Sequence, residues 1–149
     1  MSDINFYHLT QSSVENVLRV LLTKSLSQDK RVLLYGQDTN YLKRLDAELW
    51  ENPADSFLPH GLDIDDSPET QPILLTNKED NLNEASFLIT LEGCSTDFAL
   101  TFERCFDIFD GRDEAQVAQA RKRWKNYVEK GEKPSYWKQN ADGKWEKAK

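Results

Sequence analysis

A cationic and aromatic stripe near the C-terminal end is the strongest candidate for chemistry in this sequence. Its residues recur at the spacing i, i+4, i+7, i+8 and i+11, which places them on one side of a helix: Val117, Arg121, Trp124, Lys125 and Val128. An arginine can hold a carboxylate by two parallel hydrogen bonds, a lysine adds a point charge, and an indole ring adds apolar area. Such a set suits an acidic peptide with a hydrophobic end. Equally, Trp124 could cover an edge of the core while Arg121 and Lys125 extend their apolar stems over it.

The other reactive residues do not form a recognisable catalytic site. The two histidines, His8 and His60, are far apart in sequence, and we interpret His60 as a residue that fixes its loop by a hydrogen bond. Ser56 lacks the flanking glycines of a nucleophile elbow. Cys94 and Cys105 have no CxxC spacing, so we expect neither a disulfide framework nor a zinc site. The sequence therefore predicts no catalytic residues.

Motifs for cofactors and metals are also missing from the sequence. The turn after the second predicted strand, residues 35–38 (YGQD), contains one glycine and matches neither GxGxxG nor GxxxxGK[ST]. Asp63, Asp65 and Asp66 lie close together but lack the spacing of a calcium loop, and we interpret them as a solvated acidic loop. We expect a protein without a cofactor or a bound metal.

The elements that must position the stripe alternate between strands and helices. Apolar runs indicate strands, and apolar residues at helical spacing indicate helices. In chain order the pattern predicts a strand over 4–9, a helix over 13–26, a strand over 31–35, a helix from 38 or 39 to 50, strands over 71–76 and 87–91, a short helix around 98–102, a strand over 105–109 and a helix over 114–130. This order is typical of an α/β fold with three layers, in which helices cover both faces of an open, mostly parallel sheet. We expect one domain over residues 1–149, with an extended C-terminal tail from about residue 131.

The charge of the chain is divided unevenly. The net charge is −7, but residues 1–120 hold nine Lys and Arg against twenty-two Asp and Glu, whereas residues 121–149 hold ten against four. An acidic body repels the phosphate backbone of nucleic acids, so we expect no direct nucleic-acid binding. The basic end could meet an acidic partner, or it could be an ordinary solvated helix rich in lysine.

Composition favours a globular, cytoplasmic protein. The chain is 38% hydrophobic and 30% charged, and none of its apolar runs approaches the ~18 residues of a membrane span. The N-terminus lacks the basic and then apolar layout of a signal peptide. We expect a reduced, cytoplasmic protein that does not associate with membranes.

An unusually apolar loop follows the second predicted helix. Within residues 45–61 the helix reaches Trp50, Pro53 prevents it from extending, and the loop beyond carries Phe57 and Leu58. Loops are usually polar because their backbone must stay solvated. These rings therefore either fold back on a core, which general considerations favour, or hold a partner.

Several short segments, taken in order, resemble one protein family. They are residues 5–7 (NFY), 30–33 (KRVL), 49–50 (LW), 56–61 (SFLPHG), 102–110 (FERCFDIFD), 120–125 (ARKRWK), 136–139 (YWKQ) and 143–145 (GKW). Their order and spacing resemble the chi subunit of bacterial DNA polymerase III, an accessory of the clamp-loader complex. The resemblance implies a Rossmann-like α/β fold and a role in DNA replication that is not enzymatic.

The resemblance also implies two protein partners. In the chi family the last helix and the aromatic loop region bind the C-terminal tail of single-stranded DNA-binding protein, which is acidic and ends in a hydrophobic residue with a free carboxylate. Carried over by position, Arg121 takes this carboxylate and Lys125 takes a tail aspartate. The apolar part of the pocket then consists of Trp50, Phe57, Val117 and Trp124. The second partner is the psi subunit, which links chi to the clamp loader. The sequence does not place its surface on this chain, and the candidates are apolar residues of the N-terminal helix and the tail around Tyr136 and Trp137.

This sequence departs from the family pattern at three positions. An indole, Trp124, stands where a tyrosine is expected, which removes a phenolic hydroxyl. Asp110 and Val117 stand where the family can carry an apolar and a basic residue, so the rim of the pocket is less cationic here. Two other classes of function are compatible with the sequence. One is a small cytosolic α/β enzyme of unknown substrate, and the other is a nucleic-acid-binding protein that uses the basic C-terminal region.

Overall fold

The computed structural model describes residues 2–51, 60–63 and 67–148, and for residues 49–51 it describes the backbone alone. Within these residues the chain alternates between strands and helices over most of its length. In chain order they are β1 (Asp3–Leu9), α1 (Val14–Ser27), β2 (Val32–Gly36), α2 (Thr39–Glu51), β3 (His60–Leu62), β4 (Ile73–Thr76), β5 (Phe87–Leu91), α3 (Thr96–Ala99), β6 (Arg104–Asp110), α4 (Glu114–Glu129), β7 (Ser135–Gln139) and β8 (Trp145–Lys147). A short 3₁₀ turn, Pro68–Thr70, precedes β4.

The described strands form one sheet in the order β3-β4-β2-β5-β6-β1-β7-β8. Neighbouring strands are parallel except β7 and β8, which form an antiparallel pair at one edge. The central strand β2 (VLLYG) is buried along its whole length, as expected for a parallel strand that is covered on both faces. The predicted mostly parallel sheet is therefore confirmed.

The helices divide between the two faces of the sheet. Helices α1 and α2 pack on one face through side chains such as Leu18, Leu22 and Leu45, while α3 and α4 pack on the other through Ala99 and Tyr127. Alternate residues of each strand feed the two cores, because successive side chains of a strand point to opposite faces. The result is the predicted three-layer, Rossmann-like α/β fold, with helices on both faces.

The C-terminal segment, for which we predicted an extended tail, extends the sheet beyond β1. Strand β7 pairs in parallel with β1, and the indole of Trp137 donates a hydrogen bond to the Asn5 side chain at 3.2 Å. The side-chain oxygen of Gln139 accepts hydrogen bonds from three successive backbone N–H groups, residues 10–12, at 3.0–3.1 Å. Together these contacts fix the segment beside the first strand.

Candidate functional site

Helix α4 carries most of the candidate residues, and its ends are set by local sequence. The Asp113 side chain accepts a hydrogen bond from the backbone N–H of Ala115 at 2.9 Å and so caps the first turn. After Glu129 the chain leaves the helix, and Gly131 takes a φ of +84°, a value that glycine adopts at little cost. Ala120 and Tyr127 are buried against the sheet and define the inner side of the helix.

A buried ion pair fixes one flank of α4 to the sheet. The Arg123 guanidinium donates two hydrogen bonds to the carboxylate of Asp107 on β6, at 2.6 and 2.9 Å, and the Asp107 side chain is 1% exposed. Burial raises the pKa of the Asp107 carboxyl, and the positive charge of Arg123 opposes that effect. Gly93 leaves room for this arginine, since a Cβ there would lie 2.2 Å from Arg123 Cδ. The pair holds this flank of α4 against the sheet.

The opposite flank of α4 carries the predicted stripe. Val117 and Trp124 are half-buried and pack against the core, whereas Arg121, Lys125 and Val128 are exposed. The structure thus brings together four of the six predicted site residues on one helix flank. It also supports part of the core interpretation, because one side of the Trp124 ring covers the edge of the core.

The Trp124 ring packs within an aromatic cluster on the sheet. Its centroid lies 5.5 Å from that of Phe6 on β1 and 5.8 Å from that of Tyr136 on β7, with both pairs in edge-to-face geometry. Trp124 is half-buried and lies beside the exposed residues of the flank. The cluster holds this ring in a fixed place.

Arg121 differs from the other arginines of the chain. In the described part of the protein, the other six make a hydrogen bond, an ion pair or a ring contact: Arg19, Arg31, Arg44, Arg104, Arg112 and Arg123. No such contact is found there for Arg121, or for Lys125 one turn further along the helix. An uncommitted guanidinium beside a half-exposed indole can form a two-bond contact with a carboxylate while its neighbour covers apolar surface.

A second group of polar residues lies beside Arg121 on the sheet. His8 of β1 and Tyr136 of β7 are joined by a hydrogen bond of 2.6 Å between Nδ1 and the phenolic oxygen. The pKa of His8 is lowered by burial and further by the positive charges of Lys138 and Arg121. The sequence did not place Tyr136 or Lys138 beside the stripe, because their proximity to α4 depends on the parallel pairing of β7 with β1.

The side chain of Trp50 lies outside the described part of the structure, which gives only the backbone at that position. Helix α2, which carries residue 50, packs through Leu42 on the other face of the sheet from α4. Phe57, within residues 52–59, lies outside the described residues. The next strand, β3, forms the sheet edge farthest from β7 and β8. The predicted contribution of Trp50 and Phe57 to the pocket therefore stays a prediction.

The crevice at the carboxyl ends of β2, β5 and β6 is the place where doubly wound folds commonly bind ligands. Its volume is about 650 Å³, and its lining includes Asp38, Glu92 and Asp110. The N-termini of the adjacent helices α1, α2 and α4 are capped by their own side chains, from Ser13, Asp38 and Asp113. This acidic crevice is poorly suited to a phosphate, because carboxylates line it and side chains already occupy backbone N–H groups at the helix ends.

His60, Cys94 and Cys105 lie in environments that favour structural over catalytic roles. His60 is buried, and its Nε2 donates a hydrogen bond to the Asp46 carbonyl at 2.9 Å, which supports the interpretation that it fixes its loop. Burial raises the pKa of the Cys94 thiol to about 12, and that of Cys105 also lies well above its usual value. A cluster of three or more potential metal ligands is not found among the described residues. Nor does any helix in that part of the chain have the length and apolarity required to cross a membrane.

Comparison with known proteins gives a consistent result. The family model described as "DNA polymerase III chi subunit, HolC" matches residues 1–135. The DNA polymerase III subunit chi of Escherichia coli K12 is 30% identical over 117 residues, which cover 78% of this chain and 79% of that protein. The subunit of the same name from Haemophilus influenzae is 29% identical over 124 residues, which cover 80% of this chain and 85% of that protein. The probable subunit chi of Rickettsia prowazekii is 27% identical over 91 residues, 61% of this chain and 55% of that protein.

Proposed function

Since the chain belongs to the family of the DNA polymerase III chi subunit, we propose that it is a non-catalytic accessory protein of the replicase that binds the acidic C-terminal tail of single-stranded DNA-binding protein. It acts in the cytoplasm and connects that protein to the clamp loader through a psi-type subunit. The observation that carries the tail site is Arg121, an arginine without a partner in the described structure, on the same helix flank as the half-exposed ring of Trp124.

The side chains of this helix flank match the chemical groups of such a tail. The guanidinium of Arg121 takes the terminal carboxylate by two hydrogen bonds, and Lys125, about one turn along the helix, attracts an aspartate further up the tail. Trp124 and Val117, both half-buried at the edge of the core, supply apolar surface for the terminal side chain. A carboxylate, a hydrophobic end and acidic residues are thus each met by a group on one helix.

Trp50 and Phe57 remain proposed contributors of apolar surface to the tail site. Their side chains lie outside the described residues. The contribution that we propose for Phe57 is an apolar contact in the 52–59 loop, separate from the carboxylate contact at Arg121. Binding at α4 and binding at that loop are therefore distinguishable by substitution.

The charge distribution favours a protein partner over nucleic acid. Residues 1–120 carry an excess of thirteen acidic groups, from nine Lys and Arg against twenty-two Asp and Glu. Counterion release from DNA requires several lysines or arginines that contact successive phosphates, and an acidic body opposes that arrangement. The adaptor therefore reaches single-stranded DNA through the protein that coats it.

Substitution of Arg121 tests the proposed site. A short tail presents few atoms, so micromolar binding, about −8 kcal/mol, is a reasonable upper limit. A paired arginine and carboxylate in a partly desolvated pocket accounts for ~2–5 kcal/mol of such binding when one partner is truncated. Arg121→Ala should therefore abolish detectable binding of a tail peptide in titration calorimetry. Arg121→Lys should restore it poorly, because an ammonium group cannot form the two parallel bonds.

Lys122 provides a matched control for this experiment. It is the adjacent residue, is exposed, and carries the same charge on a different side of α4. Lys122→Ala should change the dissociation constant of the tail peptide by less than about threefold, the size expected of an exposed charge. Equal losses for Lys122→Ala and Arg121→Ala would show a diffuse electrostatic attraction and would remove Arg121 from the site.

A further inference from the structure

Strand β7 presents a lysine to the same side of the sheet as the stripe on α4. In the parallel pairing of β1 and β7, Phe6 lies beside Tyr136 and His8 lies beside Lys138. Phe6 and Tyr136 belong to the core beneath α4, and Lys138 is two residues beyond Tyr136, so its side chain projects from the same face. Lys138 is exposed at this position.

Lys138 and Arg121 approach the same point of the sheet from different elements. Both positive charges lower the pKa of His8, which means that both lie within electrostatic range of its ring. The charge of Arg121 also acts on Tyr136, whose hydroxyl shares a hydrogen bond with His8. The edge of α4 and the strand β7 thus place two cations around the pair formed by His8 and Tyr136.

Neither cation is neutralised by a close contact in the described structure. Ion pairs within 4.0 Å are found for five Lys and Arg residues there, and Lys138 is not one of them. Glu146 on β8 lies opposite Lys138 in the antiparallel register, on the same face, but no ion pair joins the two side chains. The surface formed by α4 and β7 therefore retains two positive charges, with Glu146 on β8 as the anion opposite Lys138.

We infer that Lys138 is a second cationic residue of the tail site, and that the terminal carboxylate of the bound tail lies between Arg121 on α4 and Lys138 on β7. This inference rests on the proposed function, since it specifies where the same tail ends. The terminal apolar side chain then lies along Trp124 and Tyr136, whose ring centroids are 5.8 Å apart. The match to the family model ends at residue 135. Lys138 therefore belongs to a part of the chain that the family model does not match.

The register of β8 supplies a matched control. Lys147 pairs with Trp137, whose side chain is on the other face of the sheet, so Lys147 also projects away from α4. Lys138→Gln and Lys147→Gln remove the same charge at the same edge of the sheet, but on opposite faces. Both residues are exposed, and neither variant should change the melting temperature by more than about 2 °C.

The experiment is titration calorimetry with a synthetic acidic peptide that ends in phenylalanine, prepared with a free and with an amidated C-terminus. Lys138→Gln should weaken binding of the free-acid peptide by about three- to tenfold, and Lys147→Gln by less than about twofold. Amidation should cost less in Lys138→Gln than in the wild type, because one partner of the carboxylate is already lost. Glu146→Gln should strengthen binding, since it removes the anion beside Lys138.

The outcomes separate this inference from the proposed function. If the wild type binds the free-acid peptide and Arg121→Ala does not, while Lys138→Gln and Lys147→Gln behave alike, the proposed function stands and the role of Lys138 is refuted. An equal amidation penalty in the wild type and in Lys138→Gln would refute it as well. If the wild type does not bind the peptide at all, the proposed function fails, and the inference about Lys138 fails with it.

Discussion

Removal of Arg123 should destabilise the protein far more than removal of an exposed lysine, because Arg123 is the charged partner of a buried carboxylate. The Asp107 side chain is 1% exposed and that of Arg123 is 13% exposed, and two hydrogen bonds of 2.6 and 2.9 Å join them. In Arg123→Gln the carboxylate of Asp107 is left buried without a compensating charge. The loss of one partner from a buried pair costs ~3–5 kcal/mol. For a domain of this size, the melting temperature should fall by roughly 6–20 °C.

The exposed pair formed by Lys130 and Asp97 is the control for this prediction. Its side chains are 45% and 84% exposed, so the pair is strongly screened by solvent. Lys130→Gln should cost ~0–1 kcal/mol. Chemical denaturation of both variants and the wild type measures the two values directly. If Arg123→Gln costs no more than Lys130→Gln, the ion pair does not hold α4 as described.

The pH dependence of the Arg123→Gln variant gives a second check. Burial already raises the pKa of Asp107, and without Arg123 nothing opposes that rise. A carboxyl group whose pKa is higher in the folded than in the unfolded state does not affect stability below its unfolded pKa, because it is protonated in both states. The free energy of unfolding then falls as the pH rises through the folded pKa. The deficit of Arg123→Gln relative to the wild type should therefore shrink as the pH is lowered from 7 towards 5. A deficit that is constant over this range would contradict the buried-carboxylate explanation.

Two further predictions concern the aromatic cluster and His8. Trp124→Ala should lower the free energy of unfolding by ~2–4 kcal/mol, because it removes a half-buried ring that packs on Phe6 and Tyr136. Trp124→Phe should recover most of that stability, and thermal melting measures both variants. A change below about 1 kcal/mol for Trp124→Ala would mean that the ring does not contribute to the core. The pKa of His8 is lowered in the folded state, so its contribution to stability is present above the unfolded pKa of about 6.5 and is lost as the pH falls through the folded value. Between pH 7 and pH 5.5 the wild type should therefore lose more stability than His8→Gln in denaturant titrations, and parallel pH profiles would exclude this role for His8.

The sequence predicts the elements that are long and strongly patterned. The helical spacing of apolar residues predicts both ends of α1, α2 and α4 to within two residues. Apolar runs predict the ends of β2, β5 and β6 equally well. Strand β3 is missed because it has three residues, which is too short for a periodic pattern. Strands β7 and β8 are missed because they are polar and only partly buried, and their strand conformation depends on pairing with each other and with β1.

The candidate site was predictable only where it is local in sequence. Periodicity alone aligns Arg121, Trp124 and Lys125 on one flank of α4, whereas Lys138 joins them through a strand pairing over long range. The sequence does contain a pattern that indicates the ion pair of Asp107 and Arg123. Asp107 interrupts an otherwise apolar strand, and a charged residue in such a run usually requires a buried partner.

The most direct test of the adaptor function compares bare and coated single-stranded DNA. The protein is applied at physiological salt to immobilised single-stranded DNA that is bare, coated with intact single-stranded DNA-binding protein, or coated with the same protein lacking its last residues. The adaptor function predicts retention on DNA coated with the intact protein, and no retention on bare DNA or on DNA coated with the truncated protein, because the acidic body repels phosphate and the contact is made through the tail. Equal retention on bare DNA and on DNA coated with the intact protein would contradict it.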